Sequence, residues 1–266
     1  MADNSTPWEE FEVSPVEIAM PGNRVGLTLR AYRMASTLTP TDVSEREDED
    51  EVFAGRRGSV PLDEEDLPEF EWTKEQLDAI ADEPADDAQA EAAAEADESE
   101  DEEEDEEEPD DEEVPVFLSH KGKVLLFKSP EGLVEFVKSK APHDLTQLKD
   151  WKKLAAALKP EDVKADEGDT YELDLVVENL RGGPDAWDAG LVLAAGEIAR
   201  DLGYALQLNK VIVALSPGSP LDDLDDALRA TGFFARRKLK KIGSEQASLG
   251  WRTIIGKISS SVDWRD

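Results

Sequence analysis

"VEIAMPGNRVGLTLRAYR" occupies residues 16–33. Two strand-like runs, 16–20 and 24–33, flank Pro21-Gly22-Asn23, a tripeptide with the chemistry of a tight turn. In the second run Val25, Leu27, Leu29 and Ala31 alternate with Gly26, Thr28, Arg30 and Tyr32. That period of two predicts a half-buried strand with its apolar side on a core and its polar side in water. A lone hairpin is marginal in water, so this one needs a partner. The next strand-like sequence is "VPVFLSHKGKVLLFKS" at 114–129, two extended runs around a Lys-Gly-Lys turn. The prediction is one sheet built from both hairpins.

Between the hairpins lies the charge. Residues 1–113 hold 41 Asp and Glu against 7 Lys and Arg, while 114–266 hold 23 against 22, so −34 of the net charge of −35 belongs to the first part. From Asp97 to Glu113, fifteen of seventeen residues are carboxylates, and the apolar content before them is mostly alanine. Such composition cannot bury enough surface to offset chain ordering, which predicts a disordered insertion over 41–113. A long insertion between paired strands is tolerable because closure entropy grows slowly with loop length. The predicted organisation is therefore an N-terminal hairpin over 1–40, the acidic insertion, and a main body over 114–266. The fold class is α+β: a small antiparallel sheet of two hairpins packed with several helices.

Within the insertion, "DLPEFEWTKEQLDAIA" (66–81) alone has a pattern. Thr73 and Gln76 fit a capping box, and Phe70, Trp72, Leu77 and Ile80 form an apolar face, a docking segment for this domain or for a partner. In the main body, Ser129-Pro130 and Ser219-Pro220 are N-cap and N1 pairs. Helices are predicted after each, and also over 143–158, 185–208 and the last apolar stretch around Trp251, Ile254, Ile255 and Ile258. Residues 170–177 fit a strand or a helix.

Catalytic signals are weak. Asp222-Asp223-Leu224-Asp225-Asp226 matches the aspartate-rich string that holds magnesium diphosphate in prenyl synthases, but acids in the first turn of a helix also complement its dipole. Glu131 lacks the Asp-x-Asp pair that a metal-dependent nucleotidyl site needs, having only Glu172 and Asp174 after it. His120 and His143 have neither cysteine nor histidine at ligand spacing. Phosphate-binding and nucleophile-elbow motifs do not occur. No enzyme activity, metal or cofactor is expected. Zero cysteines, no basic-then-apolar leader in "MADNSTPWEEFEV" and no apolar run near ~20 residues predict a cytoplasmic protein without a membrane span.

The counterpart of the acid is "FFARRKLKKIG" (233–243), where Arg236, Arg237, Lys238, Lys240 and Lys241 crowd into six positions. On a helix this is a patch for an anionic partner, nucleic acid among them, or else a solvated face. The acidic insertion then either shields this patch or acts as a solubilising brush.

Phe127, Ser129, Leu133, Phe136 and Val137, followed by His143, Asp144, Leu145 and Trp151, resemble a family of uncharacterised actinobacterial proteins often labelled primosomal protein or DNA primase. The chain is more distantly similar to the mycobacterial chaperone of the accessory Sec export route. The first label implies a metal site that these residues do not supply. The second implies apolar grooves that hold a protein client, without catalysis. The expectation is a non-enzymatic protein-binding factor, chaperone-like or regulatory; the alternative is a nucleic-acid-associated accessory protein using the basic helix. Oligomeric state is left open by the sequence.

Overall fold

The computed structural model describes residues 8, 11–44, 46, 111–230, 239 and 242–266. These described residues belong to one compact unit. Phe70, Trp72, Leu77 and Ile80 lie outside the described residues, as do Arg236, Arg237, Lys238, Lys240 and Lys241.

The first hairpin is β1 (Val13–Met20) and β2 (Arg24–Met34), antiparallel in the register Val13↔Ala31 to Met20↔Arg24. Gly22 and Asn23 take positive φ at the turn, a conformation open to both residue types. On its other side β2 pairs antiparallel with β3 (Glu113–Phe117) and, at Leu27↔Phe127, with β5 (Lys123–Phe127). The two-residue β4 (Ser119–His120) closes on β5 across Lys121-Gly122. Strands from either side of the acidic stretch thus share one sheet, and the class is α+β.

Two short strands join this sheet in parallel. β6 (Thr170–Glu172) pairs with β1, and β7 (Val262–Arg265) pairs with β5. Residues 170–177 are therefore strand and then helix: β6 runs directly into α3 (Leu173–Arg181).

Helices cover both faces. On one face α1 (Pro130–Lys138) and α2 (Trp151–Ala157), with Leu145 and Leu158, pack on Leu27, Leu29, Ala31, Leu125 and Phe127. On the other, α3, α4 (Ala189–Ala205), α5 (Asn209–Ala214), α6 (Pro220–Arg229) and α7 (Ser244–Ser260) pack on Val16, Ile18, Phe117 and Leu126. Ser129 and Ser219 cap α1 and α6, accepting from the backbone N–H of Gly132 and Asp222.

This two-sided cover corrects the half-buried reading of β2. Thr28 is fully buried and Arg30 is 5% exposed, so the polar side of the strand faces the second helical layer and not water. The predicted helix over 143–158 is also divided. A 3-10 turn at Asp144–Gln147 is followed by extended Leu148, and α2 begins only at Trp151. The break lets both Leu145 and Trp151 reach the core. His143 is buried against Phe136 and Trp151, with ring centroids 5.8 and 4.7 Å away. Burial pushes its imidazole down to about 4. Asp222 and Asp225 pair with Arg200, and Asp225 also with Arg229, a structural use of the aspartate string.

Because β3 and β5 take their neighbour from β2, a chain of residues 114–266 alone is expected to lose its cooperative thermal transition. A melting curve matching that of the full chain would contradict the shared sheet.

Candidate functional site

Beside β3 the chain builds a groove of about 330 Å³. One wall is the strap after β2, with Ala35, Leu38, Thr39, Pro40 and Thr41. Val114, Pro115 and Val116 of β3 form the floor. The opposite wall comes from the end of α4 and from α5, through Tyr204, Ala205, Asn209 and Ile212, while Asp144 and Gln147 of the 3-10 turn border it.

The strap is tied down along its length. Ser36 donates its backbone N–H and Oγ–H to Asp111, at 2.9 and 2.5 Å. Gln147 brackets Thr39, accepting from its N–H at 2.7 Å and donating to its carbonyl at 3.4 Å. Gln207, in the left-handed region at φ 54°, donates to the Thr41 carbonyl at 2.9 Å. Arg46 donates to the carbonyls of Leu206 (2.5 Å), Gly122 (2.7 Å) and Gln207 (3.2 Å), so a single guanidinium fastens the strap to the β4–β5 turn and to the end of α4. Five fixed donors in a planar fork suit Arg to this task. The groove is thereby preformed.

Its apolar content is unusually open. Tyr204 is 51% exposed and Ile212 41%, and Val213 beside it is 68% exposed. α5, "NKVIVA", ends in four apolar residues, yet only Val211 of them is buried.

α4 carries Tyr204 and is fixed to the sheet by a charged cluster one turn earlier. Arg30 of β2 meets Asp169 at 2.5 Å, Asp201 at 2.7 Å and Glu197 at 3.4 Å. Tyr32 donates its hydroxyl to Asp201 at 2.5 Å, and Tyr171 donates to Glu197 at 2.7 Å. Burial alone would lower the hold of Arg30 on its proton, but Tyr171, Tyr32, Asp201 and Asp169 outweigh it and raise it. Burial, followed by the bonds to Asp201 and Glu197, holds the phenols of Tyr32 and Tyr171 well above their ordinary range. The Asp201 carboxyl is raised by burial, against the opposing bond from Tyr32 and charge of Arg30.

The groove lies between a strap, a strand and two helices. It brings Asp144 of the resemblance to the groove while His143, Leu145 and Trp151 go to the core. Tyr204 and Ile212 were missed, although apolar residues on every side of 211–215 leave some without a core to enter. Among the described residues, no cluster of His, Cys, Asp or Glu is arranged to hold a metal ion, and no helix is long and apolar enough to cross a membrane.

The fold and the groove define an α+β domain with a preformed, apolar, surface-open slot. Its family is identified by sequence: residues 108–259 match the SatS C-terminal domain, and the chain belongs to that family. The fold is also that of a solved structure, "The crystal structure of SatS c-terminal domain in complex with bromine", at TM-score 0.58 and 17% identity over 98% of this chain and 100% of that one. A search of curated proteins finds no match. These findings carry the resemblance to the accessory-Sec chaperone; nothing in them carries a primosomal or primase label.

Removing the cation from its three carboxylates leaves buried charge unpaired, which costs about 3–5 kcal/mol. Arg30→Met is expected to lower urea-unfolding stability by that amount, and a loss below ~1 kcal/mol would show that the cluster does not anchor α4.

Proposed function

We propose that this protein is a non-enzymatic, chaperone-like binding factor that holds apolar segments of an incompletely folded client protein in the groove. The observation that carries this reading is the meeting of exposed Tyr204 and Ile212 with Leu38, Pro40 and Val114 in a slot whose walls are already tied in place. Pre-organisation matters because each side chain or loop that must be ordered on binding subtracts from affinity. A volume of about 330 Å³ is at the small end of ligand sites, which span ~300–1,000 Å³, and suits one or two large apolar side chains of a client. Membership of the SatS C-terminal domain family supports the same reading, through the resemblance to a secretion chaperone. The site needs no metal, nucleophile or cofactor, since binding alone is the activity.

The test is suppression of aggregation. The full chain at stoichiometric ratio is expected to keep a reduced, unfolding model client in solution, measured by light scattering. Tyr204→Asp with Ile212→Asp should abolish most of that protection while the melting temperature stays near that of the parent, because both side chains are already open to solvent. No suppression by the parent chain would overturn the proposal.

A further inference from the structure

The groove is not electrically neutral. Asp144 stands in its wall, where Oδ2 accepts from Ser119 at 2.7 Å, and among the described residues no cation pairs with its carboxylate. Glu112 and Glu113, both exposed, lead into the floor strand at Val114, and no described cation pairs with either of them. Arg46, which ties the strap to the β4–β5 turn, is committed to three backbone carbonyls. The result is an apolar slot with unpaired carboxylates at both ends of its floor strand, Glu112 and Glu113 before it and Asp144, held by Ser119, after it.

Resting on the functional reading above, we infer that the groove selects client segments in which lysine or arginine flanks a short apolar run, and that Asp144 is the residue that reads the cation. The apolar side chains enter between Tyr204, Ile212 and Val114, and the flanking cation lies against Asp144. Acid-flanked segments of equal apolar content are disfavoured, since like charge beside a partly desolvated carboxylate repels them. The sequence motif His143-Asp144-Leu145 makes sense in this light: its outer two residues are buried, and the middle one is delivered to the groove.

The experiment uses the full chain and three fluorescent peptides with one apolar core, flanked by two lysines, two serines or two glutamates, with binding read by anisotropy. In low salt the lysine-flanked peptide is expected to bind about tenfold more tightly than the glutamate-flanked one, with the serine-flanked peptide between, and the gap should shrink at high salt as exposed charges are screened. Asp144→Asn keeps an oxygen for the Ser119 hydroxyl and is expected to narrow the gap between the lysine-flanked and glutamate-flanked peptides about threefold. Equal binding of all three peptides overturns the inference but leaves client binding intact. A gap of undiminished size in Asp144→Asn also overturns it, because the selectivity would then come from the rest of the chain's negative charge. If no peptide binds, the functional reading itself fails.

Discussion

Everything in this fold hangs on the pairing of one strand. β2 bonds to β1 along eight residue pairs on one side and to β3 and β5 on the other. Backbone groups buried in a sheet must be paired, and for β3 the strand that satisfies them is β2. The hairpin before the acidic stretch and the segment after it are therefore one hydrophobic unit, with apolar clusters on both sheet faces. The groove inherits this dependence, because its strap follows β2 and its floor is β3.

The same strand delivers Arg30 into the helical layer. A buried guanidinium is costly to desolvate, and the compensation is geometric: three carboxylates and two phenols surround it, from β2, the β6 approach and α4. Such a cluster adds less net stability than an apolar replacement of equal fit could, but it is intolerant of displacement. It fixes the rotation and height of α4 against the sheet, and hence where Tyr204 and the Arg46-bound end of the helix stand. Rigid positioning of an exposed apolar residue is what separates a binding groove from a sticky patch.

Much of this was legible in the residues. Pro21-Gly22-Asn23 between alternating runs announced the first hairpin, and Ser129-Pro130 and Ser219-Pro220 marked two helix starts, because these signals are local and act through backbone geometry and capping. Thr28 and Arg30 read as solvent-facing because period-two polarity cannot distinguish water from a ring of carboxylates contributed by residues 139 to 171 positions away. The break between Gln147 and Trp151 has no glycine or proline to mark it and follows from tertiary packing. β7 is too short for periodicity to reveal. The groove escaped for a related reason: Leu38, Val114, Tyr204 and Ile212 are far apart in sequence, and each alone reads as an ordinary apolar residue.

Client binding in the groove is decided by where a client touches the chain. In backbone and methyl NMR spectra of the full chain, titration with an apolar model peptide should perturb Leu38, Val114, Tyr204 and Ile212 together, with Leu175 and Leu249, exposed elsewhere on α3 and α7, left unmoved. Shifts centred on Leu175 or Leu249, with the four groove residues silent, would contradict it.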